Sequence, residues 1–366
     1  MKRMILIAMA AIVLITGGEA EEVLSSARGM IVIEASSGRE LYFKNPDERL
    51  PIASTTKIMT CLLALENASL SDQVTAGENA SGVEGTSIYL SVGETLTMEE
   101  MLYGLMLRSG NDAAVAIAEH VSGDQESFSY LMNKRAEELN ADAYFTTPNG
   151  LDKGGNGASA RGLVRIAQEA MKNEEFRRIV STGKKTIPWV DHDYKRVLTN
   201  KNRLLTSYEG AVGVKTGFTG KAGRCLVFAA ERDGMMLLGV VLNCSDWFSE
   251  AERLMNDAFS EYKMHTFYEK GEVIISSDVP GSGGSKCEIA AEQPLMYPLK
   301  EGETAETEFE LFALNAPVEK GSEAGRAHLL VNGERVTSIG LISGNDVNAY
   351  GFRNAFEDVL GYWLIG

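Results

Sequence analysis

Apolar residues recur at two different periods along the chain, and the change of period divides it into segments. Helical spacing, with an apolar side chain at every third or fourth position, covers 58–65 and 98–106 and predicts two helices with buried faces. Further amphipathic helices are predicted over 124–140, 160–180 and 247–263. Short apolar runs predict strands at 30–33, 41–43, 213–218, 225–230 and 236–242. Strands at both ends of a helical stretch indicate an α+β domain whose sheet is closed by returning strands.

After residue 266 the pattern changes to short apolar runs separated by glycine, serine and proline. These runs lie at 273–275, 308–314 and 328–342. They predict a small all-β, sandwich-like domain over 267–348, following a first domain over 21–266. The last segment, 349–366, places apolar side chains on one helical face and polar ones on the other, which predicts an amphipathic tail. The apolar face consists of Phe352, Phe356, Val359, Leu360, Trp363 and Leu364.

The first twenty residues have the pattern of an export signal. A basic Met1-Lys2-Arg3 is followed by 13 uncharged residues, 4–16, and then by the small residues Gly18 and Ala20. An apolar run of this length is shorter than the roughly 20 residues that span a bilayer. We therefore expect a signal peptide over 1–20, cleavage near Ala20 and a location outside the cytoplasm.

Composition excludes several classes of function. The chain has 35 Lys and Arg against 51 Asp and Glu, a formal charge of −16, which argues against nucleic acid as a partner. Four cysteines are too few for a disulfide framework in 366 residues, and we expect buried free thiols. The four histidines are isolated in the sequence, so neither a metal nor a cofactor is predicted.

Three short polar motifs occur in the first domain. Ser54-x-x-Lys57 begins the first predicted helix, where residues three apart share one face. Burial at a helix start favours the neutral amine, which can then take the proton of the serine hydroxyl. The second motif, Ser109-Gly110-Asn111, lies in a turn between two predicted helices. The third, Lys215-Thr216-Gly217, lies on a predicted strand.

Each motif alone is weak evidence, because similar ones occur elsewhere in the chain. About one or two Ser-x-x-Lys matches are expected by chance at this length, and Ser181/Lys184 and Ser260/Lys263 are two further matches. Ser343-Gly344-Asn345-Asp346 repeats the second motif within the predicted β domain. Only the set beginning at 54, 109 and 215 has all three motifs in this order and in these contexts.

With the three motifs in this order, the chain resembles the penicillin-recognising serine enzymes, and most closely the low-molecular-mass D-alanyl-D-alanine carboxypeptidases. The resemblance runs from about Gly29 to Tyr262 and includes 85–87 and 147–151. It implies a β-lactamase/transpeptidase-like fold, in which helices flank an antiparallel sheet. It also implies release of the terminal D-alanine of peptidoglycan stem peptides, inhibition by covalently bound β-lactams, and no cofactor.

The resemblance also implies roles for the motif residues. Ser54 would attack the peptide carbonyl and form an acyl-enzyme, with Lys57 as its base. Ser109 would pass a proton to the leaving nitrogen. The Asn111 amide, which carries both a donor and an acceptor, would hold the substrate backbone.

The strand motif would bind the substrate. Lys215 would supply a positive charge, Thr216 would hydrogen-bond a carboxylate, and Gly217 would leave room for substrate beside the strand. Backbone N–H groups of Ser54 and Phe218 would form the oxyanion hole. Lys201 occupies the place of a basic residue that binds the terminal carboxylate in relatives, and Arg203 is the second candidate.

Three other functions remain open from the residues. An endopeptidase acting on cross-links would use the same chemistry with a different leaving group. A β-lactamase would need a glutamate four residues before an asparagine, but Ala136 stands four residues before Asn140. A catalytically silent wall-binding protein is disfavoured by the complete motif set.

The tail would lie in the plane of the membrane, on the outer face of the cytoplasmic membrane.

Overall fold

The computed structural model describes residues 4–6, 20–151, 154–352, 354–356 and 359–360. Two compact units divide the chain. The first is Ala20–Ser260, and the second consists of the residues from Glu261 onward together with the N-terminal strand. Most of the predicted signal peptide lies outside the described residues, so it stays a prediction.

Helices in the described residues belong mainly to the first unit. A short 3₁₀ helix, Ala53–Thr56, leads into the first α-helix. The α-helices are α1 (Lys57–Asn67), α2 (Met98–Leu107), α3 (Asn111–Ser122), α4 (Gln125–Glu138), α5 (Ala160–Lys172), α6 (Glu174–Ser181), α7 (Leu204–Ser207) and α8 (Trp247–Glu261).

Strands occur in both units. Those up to Leu242 are β1 (Met4–Leu6), β2 (Glu21–Glu22), β3 (Gly29–Glu34), β4 (Glu40–Lys44), β5 (Gln73–Thr75), β6 (Thr95–Thr97), β7 (Ala143–Tyr144), β8 (Gly157–Ala158), β9 (Lys184–Ile187), β10 (Arg196–Thr199), β11 (Ala211–Thr219), β12 (Gly223–Arg232) and β13 (Met235–Leu242). Those that follow are β14 (Tyr262–Tyr268), β15 (Val273–Asp278), β16 (Lys286–Ala291), β17 (Leu295–Lys300), β18 (Ala305–Leu311), β19 (Glu323–Val331) and β20 (Glu334–Ser343).

One six-stranded sheet organises the first unit. Its order is β11-β12-β13-β3-β4-β2, so the late strands close against the early ones. All neighbours are antiparallel except the pair β2 and β4. Helix α5 packs on β13 and β3, and α6 packs on β11. Strand β11 lies at one edge of the sheet, beside the 3₁₀ helix, and this placement creates the site described below.

The amphipathic stretch 160–180 forms two helices rather than the one its period predicts. Asn173 has an extended backbone, with φ −81° and ψ 122°, which ends α5. Its side chain then accepts hydrogen bonds from the backbone N–H groups of Glu175 and Phe176, so the same residue caps α6. Each of the two helices has its own buried apolar face. These two faces together produce the apolar period over 160–180.

The second unit is all β apart from its tail, as its short apolar runs predict. A six-stranded sheet has the order β1-β18-β19-β20-β16-β15, and β14 pairs with β17. Buried apolar residues of these strands form a separate core that includes Cys287, Phe309 and Leu341. The amphipathic tail helix stays a prediction, since part of 349–366 lies outside the described residues. Among the residues described, no helix combines the length and apolar character needed to cross a membrane.

Candidate active site

Ser54 and Lys57 meet where the 3₁₀ helix passes into α1. Ser54 is the second residue of the 3₁₀ helix and Lys57 the first of α1. The Lys57 Nζ lies 2.9 Å from the Ser54 Oγ. The same Nζ donates to the Asn111 Oδ1 at 2.8 Å and to the Asn149 carbonyl at 2.6 Å. Three acceptors from three segments therefore fix the amine against the hydroxyl.

The surroundings of Lys57 favour its neutral form. The residue is fully buried, and burial is the main reason that the pKa of Lys57 lies well below its ordinary value. The positive charges of Lys215 and Lys201 lower this pKa further, whereas the Asp112 carboxylate opposes them. A neutral amine has a free electron pair and can accept a proton from the adjacent hydroxyl.

The turn between α2 and α3 brings the second motif to this amine. Ser109 has a positive φ of 63° and is buried in the turn, and Asn111 begins α3. The Asn111 Nδ2 donates to the Glu84 carbonyl at 2.6 Å, and the Asn111 backbone N–H donates to the Thr86 carbonyl at 2.7 Å. Because the Asn111 Oδ1 also accepts from Lys57, both the oxygen and the nitrogen of the Asn111 amide are fixed by hydrogen bonds.

A buried carboxylate that the sequence did not single out anchors the loop 84–90. Asp112 accepts hydrogen bonds from the Ser87 hydroxyl and from the backbone N–H groups of Ile88 and Leu90. It is completely buried. Because this loop carries the acceptors for Asn111, Asp112 positions the second motif indirectly. An aspartate that immediately follows Ser-x-Asn is the only sequence signal for it.

The segment 147–151 forms another wall of the site. The carbonyl of Pro148 accepts a 2.6 Å hydrogen bond from the Thr60 hydroxyl on α1, and the next carbonyl accepts from Lys57. Gly150 has a φ of +83°, and a Cβ there would come within 2.0 Å of the Ala53 carbonyl oxygen. The tight contact requires glycine and seats the segment on the 3₁₀ helix.

Strand β11 passes directly beside the nucleophile. A Cβ on Gly217 would lie 3.0 Å from the Ile52 carbonyl and 3.1 Å from the Ser54 nitrogen. Lys215 is almost fully buried, and its Nζ donates to the Thr216 carbonyl at 2.8 Å. Burial, reinforced by the charge of Lys201, lowers the pKa of Lys215 to about 7. The side chain of Phe218 is 65% exposed, so beyond Gly217 the strand opens to solvent.

Of the two candidate carboxylate-binding cations, Lys201 is the one that contacts this cluster. Its Nζ lies 3.2 Å from the Thr86 hydroxyl, in the loop that holds Asn111. Partial desolvation and the charge of Arg108 lower the pKa of Lys201. The Arg203 guanidinium instead lies 4.5 Å from the centre of the Phe248 ring.

The repeated motifs elsewhere have other roles. In 343–346, Asn345 accepts from the Glu288 backbone N–H and Asp346 from that of Lys320, so both side chains hold turns of the β unit. Ser181 and Lys184 are exposed at the end of α6 and the start of β9. Ser260 and Lys263 are likewise exposed, in α8 and β14.

Comparison with known proteins covers both units. A family model described as D-alanyl-D-alanine carboxypeptidase, peptidase S11, matches residues 17–246. A second model, described as penicillin-binding protein 5, C-terminal domain, matches residues 262–349. The second match begins one residue after Glu261, where the second compact unit begins.

Individual relatives cover between 61% and 95% of the chain. D-alanyl-D-alanine carboxypeptidase DacF of Bacillus subtilis (strain 168) is 33% identical over 360 residues, 95% of this chain and 92% of that protein. D-alanyl-D-alanine endopeptidase of Pseudomonas aeruginosa is 30% identical over 231 residues, 61% of this chain and 74% of that protein. The crystal structure of penicillin binding protein 5 from Haemophilus influenzae superposes with a TM-score of 0.75 at 29% identity, covering 89% of this chain and 98% of that chain. This likeness confirms the predicted α+β fold followed by a small β domain.

Proposed function

The chain belongs to the D-alanyl-D-alanine carboxypeptidase family, peptidase S11, and from this membership we propose that Ser54 is the nucleophile that forms the acyl-enzyme. The observation that supports this most is the buried, desolvated amine of Lys57, 2.9 Å from the Ser54 hydroxyl. The substrate is the stem peptide of peptidoglycan, and the product is free D-alanine.

Acylation begins with neutral Lys57 accepting the proton of Ser54. The Ser54 Oγ attacks the carbonyl carbon of the penultimate D-alanine, and the C–N bond to the terminal D-alanine breaks. The protonated Lys57 gives this proton to the leaving nitrogen through the Ser109 hydroxyl, so the amine is neutral again when acylation ends. The products of this step are an ester on Ser54 and free D-alanine.

In deacylation, water is the nucleophile and Ser54 is the leaving group. A water molecule attacks the ester carbonyl and gives its proton to Lys57. The C–O bond to Ser54 breaks, and Ser54 regains its proton from Lys57. The shortened peptide leaves with a new carboxylate. The amine thus ends neutral, as it began.

Four side chains bind the substrate in this proposal. Asn111 holds the peptide backbone, and its position is supported by its bonds to Lys57 and to the Glu84 carbonyl. Lys215 and Lys201 attract the terminal carboxylate, and Thr216 donates a hydrogen bond to it. Burial and the positive charge of Lys201 together lower the pKa of Lys215, and a bound anion would offset the repulsion between the two amines.

The oxyanion that develops on the attacked carbonyl would accept from the backbone N–H groups of Ser54 and Phe218. The close approach of Gly217 to the Ser54 nitrogen supports this pairing, because it places the next residue of β11 beside the nucleophile. Removing one such donor costs about 3 kcal/mol of transition-state stabilisation in other hydrolases.

β-Lactams would acylate the same serine. Attack by Ser54 opens the strained ring amide, and the nitrogen remains attached to the acyl group instead of diffusing away. A β-lactamase would need an additional base to hydrolyse this ester. Ala136 is buried where that glutamate would stand, and Glu137 and Glu138 are exposed on α4. The alanine at position 136 therefore favours a persistent adduct.

Endopeptidase action on cross-linked peptides is a second candidate. It rests on the relative from Pseudomonas aeruginosa that is named an endopeptidase. The chemistry at Ser54 is unchanged, but the leaving amine belongs to a neighbouring stem peptide. Incubation with cross-linked dimers, followed by chromatography, distinguishes release of monomers from release of D-alanine alone.

We also place the protein outside the cytoplasm, with the tail 349–366 lying on the membrane. Phe352, Phe356 and Val359 are each more than half exposed, as an apolar face that enters the lipid interface requires. Deletion of 349–366 should release the protein from vesicles of anionic phospholipid. Unchanged partition of the truncated chain would refute the attachment.

The proposed activity is tested by D-alanine release from a pentapeptide ending in D-Ala-D-Ala. Wild type should release D-alanine, Ser54→Ala should lose the activity, and Ser181→Ala should retain it. Activity in Ser54→Ala at the level of wild type would exclude Ser54 as nucleophile.

A further inference from the structure

Three aromatic rings, of which Trp189 is half-buried and His192 and Tyr194 are exposed, gather at the tip of the hairpin formed by β9 and β10. The ring centroids of Trp189 and His192 are 4.7 Å apart, those of Trp189 and Tyr194 5.4 Å, and those of His192 and Tyr194 5.1 Å. Tyr194 is 60% exposed. Beside the hairpin, Tyr89 is 68% exposed. We call Tyr89, Trp189, His192 and Tyr194 the aromatic surface.

One buried arginine holds the aromatic surface together. Arg196 makes a paired salt bridge with Glu94, with N–O distances of 2.6 and 2.8 Å. Its Nη2 also donates to the Tyr89 carbonyl at 3.0 Å, and its guanidinium lies 4.8 Å from the Trp189 ring. Because Arg196 is buried and charged, these bonds fix the hairpin against the loop 84–90.

The same loop links the aromatic surface to the active site. Its first residues contact Asn111 and Lys201, through the Glu84 carbonyl and the Thr86 hydroxyl. Tyr89 follows Thr86 by three residues, so their Cα atoms lie within about 11 Å of each other. A stem peptide of about five residues spans roughly 17 Å when extended. Ser54 is joined to the start of this loop through Lys57, Asn111 and the Glu84 carbonyl, by hydrogen bonds of 2.9, 2.8 and 2.6 Å. A peptide of this length seated at Ser54 can therefore extend past the start of the loop that carries Tyr89.

We propose that the aromatic surface binds the glycan strand to which the stem peptide is attached. This inference rests on the proposed function, since it assumes a peptide substrate seated at Ser54. The C–H faces of N-acetylated sugars pack on exposed aromatic rings, while the polar tips of tyrosine and histidine hydrogen-bond hydroxyl and amide groups. Rings held in place before binding lose little side-chain entropy on contact. The surface thus selects polymeric substrate over free peptide.

The kinetic test compares two substrates with the same peptide. One is the free pentapeptide, and the other is the pentapeptide on uncross-linked glycan strands. In the double variant Tyr89→Ala/Tyr194→Ala, kcat/KM on the polymer should fall about tenfold, mainly through KM, from the loss of two ring contacts. kcat/KM on the free peptide should stay within about twofold of wild type by the same reasoning. Tyr130→Ala removes a tyrosine that is 74% exposed on α4 and serves as the matched control.

A binding test separates this inference from the catalytic one. Full-length Ser54→Ala protein should sediment with insoluble glycan strands stripped of their peptides, and the triple variant with Tyr89→Ala/Tyr194→Ala should not. Three results would overturn the glycan site. They are an equal loss of kcat/KM on both substrates, no loss of kcat/KM on the polymer, and the same loss of kcat/KM in Tyr130→Ala. If wild type released no D-alanine, the proposed function would be overturned. Sedimentation of Ser54→Ala with the stripped strands does not depend on catalysis, so it would still show whether the protein binds glycan.

Discussion

The Lys57 Nζ lies 2.9 Å from the Ser54 Oγ, and two further acceptors hold that nitrogen in place. Residues three apart on a helical turn can approach each other without help from the rest of the fold. Tertiary structure adds the desolvation and the neighbouring cations that lower the pKa of Lys57.

Lys57→Met should slow acylation severely without unfolding the protein. Methionine has a similar length but cannot accept a proton, and loss of a general base typically slows a reaction by about 10²–10⁴-fold. The rate of labelling by a fluorescent penicillin measures the effect, and a thermal melt checks the fold. Lys184→Met, in the exposed second Ser-x-x-Lys match, should label like wild type. Rapid labelling of Lys57→Met would assign the base to another group.

The plot of kcat/KM against pH should have a falling limb near neutral pH, because Lys215 loses its charge there as pH rises. Its pKa is lowered to about 7, so the ammonium that binds the carboxylate is lost as pH rises through that value. The pH dependence of kcat/KM reports groups of the free enzyme. Lys215→Arg keeps a charge at high pH, so the falling limb should move upward by more than one pH unit. An unchanged limb in this variant would attribute it to a different group.

Burial of Lys215 should also make stability depend on pH. The pKa rises from about 7 in the folded protein to its ordinary value of 10.5 on unfolding. Between these values the unfolded state binds more protons, so the free energy of unfolding should increase with pH. Urea titrations of wild type and Lys215→Met at pH 6 and pH 9 should show wild type gaining stability relative to the variant. A constant difference would contradict the lowered pKa.

Gly217→Ala should impair acylation far more than a comparable change nearby. The added Cβ would press on the backbone of Ile52, Ser54 and Thr55 at 3.0–3.1 Å, so β11 and the 3₁₀ helix must separate by a few tenths of an ångström. If this displaces one oxyanion donor, acylation should slow by about 10²-fold or more. Gly220→Ala is the control, because a Cβ there meets no atom within 4 Å. Equal labelling rates in the two variants would exclude this role for Gly217.

Lys201→Gln should reduce discrimination for a terminal carboxylate. Wild type should have a higher kcat/KM for a peptide that ends in a free carboxylate than for its C-terminal amide. The variant should lose about tenfold or more of that preference, because it lacks one charged hydrogen bond. Arg203→Gln should keep the preference, since Arg203 lies over the Phe248 ring instead. If Arg203→Gln lost the preference and Lys201→Gln kept it, the two roles would be exchanged.

Most of the fold follows from the period of apolar residues, which locates α1, α2 and the strands β11 to β13. The period misses the break at Asn173, because that break depends on a single capping side chain. It also gives little signal for β9 and β10, whose exposed and buried positions alternate over only four residues each. Short elements fixed by long-range contacts lie beyond local patterns.

The motifs identify residues at 54, 57 and 111 that the structure brings together, but not the groups that support them. The Asn149 carbonyl and the Asp112 carboxylate act through contacts between segments distant in sequence. A backbone carbonyl has no side-chain signature at all. The lowered pKa values likewise depend on burial and on charges from several segments, which the sequence alone does not bring into contact.

The most direct test of the central claim is mass spectrometry of the protein after exposure to benzylpenicillin, with the adduct mapped to a peptide. We predict one added penicilloyl group, on the peptide that contains Ser54, and no adduct in Ser54→Ala. An adduct on a peptide carrying Ser181, Ser260 or Ser343, or its persistence in Ser54→Ala, would contradict the assignment of Ser54 as the nucleophile.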